Sequence, residues 1–189
     1  SQIFRHALTQ FAFDESKYIN VHIDYPFYKA AKTRVQKCFV NDGNEFSTYQ
    51  TNALKGRILA TKNTKDTLVF EVKDVNQNKF VLLIPIVGLP AKSDKEKQDY
   101  LKSIKHKKAF YPLKKNTIKT KDFLFELDTK SIYDTAYYDF EVLPKQKLAF
   151  SKTYKIFNPT APFHKAADIA IKPIKVKPEY QNKLLLAYY

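Results

Sequence analysis

The stretch FAFDESKYINVHIDYPFYK, residues 11–29, holds the densest set of groups able to do chemistry in this 189-residue chain. Asp14, Glu15, His22 and Asp24 are of the types that ligate metals or exchange protons. His22 and Asp24 are two residues apart, so on a β-strand both side chains leave the same face and could chelate a cation, with a third ligand still unnamed. The competing reading has Val21, Ile23 and Tyr25 facing a core while His22 and Asp24 hydrogen-bond on the opposite face. Asp14 and Glu15 lead into Ser16 and Lys17 and read as a turn or cap closing on the backbone. An acid–base pair would need a pocket and partners that the sequence does not supply. The stretch is therefore expected to be architecture, with no catalytic residues and no resident metal or cofactor.

Two further groups carry possible binding chemistry. Tyr133, Tyr137 and Tyr138 are expected surface aromatics that could stack on a glycan, against the alternative that such tyrosines cap a core and hydrogen-bond the backbone. Lys102, Lys105, Lys107 and Lys108 form a basic stretch that could dock on lipid phosphates or on peptidoglycan carboxylates, against the alternative of a solvated linker. Cys38, the single cysteine, sits in VQKCFV and reads as a small buried hydrophobe; alone it can form neither an internal disulfide nor a thiolate cluster.

Composition narrows the classes. Hydrophobic residues make up 44% of the chain and aromatics 15%, enough to bury a real core. Three glycines, in no GxGxxG or GxxxxGK pattern, leave no phosphate-cradling loop. The net charge of +14 invites a nucleic-acid reading, but only Arg5, Arg34 and Arg57 of the 33 basic residues are arginine. Readers of phosphate and bases favour the bidentate guanidinium, so no nucleic-acid partner is expected. The longest apolar run, residues 80–89, has the length of a strand and not of a membrane span. A chain that starts Ser-Gln-Ile without methionine reads as trimmed or cut from something longer.

The elements that must position these residues repeat mostly with a period of two. Leu68, Phe70 and Val72 alternate with polar neighbours, residues 74–78 spell DVNQN, and Phe80, Leu82 and Ile84 alternate again, predicting a hairpin with an Asx-rich turn. VQKCFV, EFSTYQ and GRILAT read as short strands. After Pro90, AKSDKEKQDYLKSIKHKK predicts a charged helix with Ser93 as N-cap and Glu96 closing a capping box. Alternation resumes at Phe123/Phe125/Leu127, Tyr138/Phe140/Val142, Ala149/Phe150, Tyr154/Ile156, Ile169/Ile171, Ile174/Val176 and Leu184/Leu186, punctuated by prolines. Seven or so short strands at this spacing predict a β-sandwich.

Several stretches together resemble a known family. FAFDESKYINVHIDYPFY (residues 11–28), GNEFSTYQTNALKGRI (43–58) and FEVKDVNQN (70–78) resemble the region downstream of the catalytic domain in zinc endopeptidases of the LytM/lysostaphin type from Bacteroidota. FELDTKSIYD (125–134) and SKTYKIFNPTAPFHKAADIAI (151–171) resemble the last β-sandwich of the same tail. The family binds zinc through a His-x-x-x-Asp pair and the second histidine of a His-x-His motif. Here His164 and Asp168 fit the first spacing formally, while His6, His22 and His106 do not, and no His-x-His exists. A catalytic zinc needs three protein ligands and an open position. Only His22, Asp24, His164 and Asp168 remain as weak metal candidates.

The resemblance implies a mainly β chain of two immunoglobulin-like sandwiches joined by a charged helix. Residues 1–89 would form the first, 90–113 the linker and 114–189 the second. The first would be incomplete, with one strand over residues 3–8 and others upstream of this chain. The implied role is that of a non-catalytic accessory region in the cell envelope, periplasmic or outer-membrane associated. It would position an upstream peptidase chain or dock an envelope protein; binding to peptidoglycan or glycan, and to nucleic acid, are the alternatives. The helix over 92–108 is expected to be the most protease-sensitive interior segment.

Overall fold

The computed structural model describes residues 2–7 and 10–188. Its elements run β1 (Phe4–His6), a 3-10 helix (Phe13–Val21), α1 (Tyr25–Ala31), β2 (Tyr49–Thr51), β3 (Lys65–Lys73), β4 (Lys79–Val87), α2 (Asp94–Ile104), β5 (Lys108–Phe110), β6 (Asn116–Lys119), β7 (Phe123–Leu127), β8 (Ala136–Leu143), β9 (Thr153–Phe157), β10 (Asp168–Ile171) and a final 3-10 turn (Pro178–Lys183). The protein is mainly β, built from several small antiparallel sheets with few helices. No helix among the described residues is long and apolar enough to cross a membrane.

Contacts divide the chain into two compact units, and one of them is discontinuous: residues 1–56 join 106–189, and 57–105 stand as the other. This differs from the consecutive segments 1–89, 90–113 and 114–189. The physical reason is a set of long-range hydrogen bonds between residues 17–45 and 130–134, described below, which no local pattern encodes.

In the discontinuous unit, β5–β8–β9 form one three-stranded sheet and β10–β7–β6 another, every pairing antiparallel. Alternation works here as the sequence predicts. Phe123, Phe125 and Leu127 of β7 are buried, with Leu124 and Glu126 partly exposed between them. Phe110, Ile118, Ile132 and Tyr138 complete a core fed by strands of both sheets, with Phe140, Tyr154, Phe163 and Ile171 packed against it. Phe123 stacks on Tyr154 with centroids 4.3 Å apart and Phe110 on Phe125 at 5.9 Å, so the aromatic content becomes ring-on-ring packing between the sheets. Asn116, buried beside this core, accepts from the Tyr111 amide at 2.8 Å and donates to the carbonyls of Tyr111 and Lys114, which satisfies its amide and closes the 111–116 turn.

The first 56 residues of this unit form less regular structure than expected. β1 covers Phe4–His6 and pairs with β2; residue 8, the end of the expected strand, lies outside the described residues. VQKCFV and GRILAT form no strand. Residues 35–40 make separate bonds instead: the Asp24 amide to the Val35 carbonyl, Lys37 to His22, and Val40 to Lys55, with a single bridge between Ile23 and Gln36. Left-handed backbone at Lys32, Lys55 and Gly56 breaks the continuity a ladder requires. Gly56, at φ 83°, also passes so close to the Cys38 carbonyl that a Cβ would sit 2.7 Å from its oxygen. At the other end, Ile174/Val176 and Leu184/Leu186 form no strand either; Pro173 and Pro178 flank the first pair, Lys175 between them is left-handed at φ 49°, and the second follows the final 3-10 turn.

Residues 57–105 carry the hairpin β3–β4, a two-stranded sheet in continuous register from Lys65↔Val87 to Lys73↔Lys79. Asp74 organises its turn: its carboxylate accepts from the amides of Asn76 and Asn78 and from the Asn78 side chain. The helix α2 starts where the sequence places it. Ser93 Oγ accepts from the Glu96 amide and the Glu96 carboxylate accepts from the Ser93 amide. Neither β4 nor α2 buries any residue.

Candidate functional site

His22 and Asp24 do not share a strand face. His22 terminates the 3-10 helix and Asp24 caps α1, accepting from the Phe27 amide at 3.0 Å. Pro26 at the start of α1 fits a helix's first turn, where no amide partner is needed, so IDYPFY nucleates a helix where alternation predicts a strand. His22 instead enters an aromatic cluster with His6 and Tyr49. The two imidazoles are 4.2 Å apart by centroid, and His22 Nδ1 shares a 2.7 Å hydrogen bond with the Tyr49 hydroxyl. Phe4 and Phe46 flank Tyr49, and Phe11 flanks Phe46. Burial, and then the neighbouring His6, push the His22 pKa down to about 4; burial lowers His6 as well, and its Nε2 is enclosed without a partner. Asp14 lies in the first turn of the 3-10 helix together with Glu15, whose carboxylate accepts from Ser47 Oγ at 2.8 Å.

His164 and Asp168 are also apart in role. His164 stacks on Tyr133 with centroids 4.1 Å apart, and its Nε2 hydrogen-bonds the Lys130 carbonyl, while Asp168 opens β10 opposite Glu126. Burial lowers the His164 pKa. No group of three or more His, Cys, Asp or Glu side chains able to hold a metal occurs among the described residues.

The expected tyrosine surface is a correction. Tyr138 is 2% exposed, its hydroxyl donates to the Ala161 carbonyl, and burial raises its pKa. Tyr133 is partly buried, donates to the Lys17 carbonyl at 2.6 Å, and has its pKa pushed up to about 12, first by burial and then by Tyr18. Tyr137 is partly exposed between them in β8, with its carbonyl accepting from Asn158. The rings of Tyr133 and Tyr138 are spent on packing, with backbone bonds for their hydroxyls.

What the structure brings together instead is a seam between the segment 17–45 and the turn 130–134. The Asn41 amide donates to the Asp134 carboxylate at 2.7 Å, the Gly43 amide to the Tyr133 carbonyl at 2.9 Å, and Lys130 pairs with the Glu45 carboxylate, which also accepts from the Tyr18 hydroxyl. The Lys130 ammonium holds Glu45 below the usual carboxylate range. Gly43 is required by contact: a Cβ there would lie 2.1 Å from the Ile132 carbonyl oxygen. Residues 41–44 form a turn closed by the Asn44 amide on the Asn41 carbonyl, and its partner lies 90 residues on from Gly43.

The four basic residues also separate. Lys102 lies 3.7 Å from Asp99 on the exposed surface of α2, and Lys105 ends that helix. Lys107 forms a two-pronged bond to Asp139 at 2.9 and 3.0 Å, and Lys108 opens β5 opposite Tyr138. A cleft of ≈ 320 Å³ is lined by Lys119, Lys121 and Lys172 together with Phe123 and Ile171. Cys38 is partly exposed rather than buried, and desolvation raises its thiol pKa, which argues against a reactive thiolate.

The β3–β4 hairpin presents apolar side chains to solvent. Register puts Leu68, Phe70 and Val72 beside Ile84, Leu82 and Phe80 on one face. Phe80 is 62% exposed and Leu83, on the other face, 61%. The second face also carries Lys65, Lys73, Lys79 and Glu71, with Glu71 held 2.6 Å from Lys79 and 3.2 Å from Lys73.

No curated protein and no solved structure matches the chain. Residues 107–189, the segment that contributes β5 to β10, match the model of the Zu5-like domain.

Proposed function

We propose that this chain is a non-catalytic accessory region of a cell-envelope peptidoglycan metallopeptidase homologue of the LytM/lysostaphin type, which docks an envelope protein or positions an upstream peptidase chain. The observation that carries the docking role is the β3–β4 hairpin, an apolar two-stranded ribbon exposed on both faces. Isolated two-stranded ribbons are at best marginally stable in water, and apolar surface of this kind is ordinarily covered by a partner. In this reading β5–β10 form the last immunoglobulin-like sandwich of such a protein, supported by the core that two three-stranded sheets share. The chain would act in the periplasm or at the outer membrane and bring neither metal nor catalytic residues of its own.

Glycan binding draws less support, because Tyr133 and Tyr138 are engaged in packing. The test is co-sedimentation of the chain with protein-stripped sacculi and, separately, capture by a LytM-type peptidase domain. Capture by the peptidase domain without retention on bare sacculi is expected. Retention on sacculi alone would establish the glycan reading, and one zinc bound per chain would remove the non-catalytic one.

A further inference from the structure

The backbone of the hairpin decides which of its edges can take another strand. The Asp74 amide bonds the Asn78 carbonyl and the Gly88 amide bonds the Thr64 carbonyl, so even-numbered residues of β3 and β4 direct their amides and carbonyls at each other. Odd-numbered residues direct theirs outward. On β4 the outward set is Lys79, Val81, Leu83, Pro85 and Val87, and Pro85 has no amide to offer. On β3 the outward set is Lys65, Thr67, Val69, Glu71 and Lys73; it keeps every donor, and among the described residues only the Thr67 amide finds a partner, the neighbouring Asp66 carboxylate. The two edges are therefore unequal, and β3 is the competent one.

The side chains define what fits. A strand laid along β3 would place alternate residues beside Leu68, Phe70 and Val72, which calls for apolar groups. Its other residues would lie beside Lys65, Thr67, Val69, Glu71 and Lys73. On that face three lysines of the ribbon stand against one carboxylate, and Glu71 is already held between Lys73 and Lys79. The charge complement is acidic. Resting on the docking role above, the geometry points to β3 as a strand-capture edge, whose ligand is an extended segment of another polypeptide alternating apolar with acidic residues and completing a third strand beside β3.

The probe is a terminally blocked nine-residue peptide alternating valine and glutamate, the length of β3, with a valine–lysine peptide as control. Amide hydrogen exchange on the full chain should show new protection at Val69 and Glu71, with Val81 and Leu83 unchanged. V69P deletes an outward amide, and its binding should weaken about tenfold or more. L83P, the equivalent change on β4, should bind as before. Retained protection at Phe70 verifies that each variant keeps its hairpin. K65E/K73E, which leaves the backbone alone, should reverse the preference toward the lysine peptide. Equal binding of both peptides, protection appearing on β4, no binding up to about 1 mM, or self-association of the chain that protects Val69 would each overturn the assignment. Success here with failure of peptidase capture leaves strand capture standing for a different partner. The reverse result moves the peptidase contact elsewhere on the molecule.

Discussion

Strand β7 has five residues and buries three; β4 has nine, with the longer apolar run, and buries none. Both are paired antiparallel, and both alternate or exceed alternation in apolar residues. The difference lies in what faces them. β7 has strands on both sides and a second sheet's aromatics over Phe123 and Phe125, whereas β4 has one neighbour. An apolar period therefore states a demand for burial, and the supply comes from another part of the chain or from another molecule.

Core substitutions should break this comparison most sharply. Leu127 is 0% exposed, and L127A should cost about 2–5 kcal/mol in chemical denaturation of the discontinuous unit. L83A in β4 should change stability by no more than about 0.5 kcal/mol. Comparable losses would mean that the hairpin is covered in solution.

The seam comes next. G43A forces a Cβ against the Ile132 carbonyl, and overpacking of this sort costs about 1–3 kcal/mol. The expected sign of a loosened seam is faster proteolysis within residues 10–56 and an unchanged pattern in 57–105. No change in either would show that the backbone yields there without loss.

Between neutral pH and about 4, acid should act on the discontinuous unit through its histidines. His6, His22 and His164 all have folded pKa values below the usual 6.5. Between that value and about 4, where His22 titrates, the unfolded chain binds protons that the folded one refuses. Stability is thus complete above pH 6.5 and falls as pH drops through this window. H22N should flatten the dependence, as read from the thermal midpoint across pH 7 to 4.

The smallest effects belong to α2. S93A removes the half of the capping box in which Ser93 Oγ accepts from the Glu96 amide, and should lower helix stability by about 1 kcal/mol. Limited trypsin should cut the wild type first within residues 92–108, which carry lysines and bury nothing in the helix. Resistance there equal to that of β7 would mean that the helix is packed in a way its exposure hides.

Features that were legible in the sequence are those whose causes lie within a few residues. Asp74 and Asn78 make the hairpin turn, Ser93 and Glu96 make the cap, and Phe123, Phe125 and Leu127 alternate into a core. The misread features each depend on something distant or on a local rival. Asp24 followed by Pro26 favours helix capping over the strand that VHIDY suggests. Tyr133 and Tyr138 look like surface rings until the carbonyls of Lys17 and Ala161 are brought to their hydroxyls. Of the candidate site, the hairpin itself was readable, but the inequality of its edges required the register that places Pro85 outward.

The discontinuous unit also sets an order of events during synthesis. The Tyr133 hydroxyl bonds the Lys17 carbonyl 116 residues away, and Asp134 receives Asn41 across 93. At translation rates of about 5–20 residues per second, residues 17–45 leave the ribosome on the order of ten seconds before the turn that holds them is made. Tyr18, buried in the finished fold beside Tyr133 and His164, is bare for that interval, and the apolar hairpin emerges in the same window. The nascent chain thus presents apolar surface before the core between the two three-stranded sheets exists, which favours a holding chaperone until residue 134 has cleared the exit tunnel.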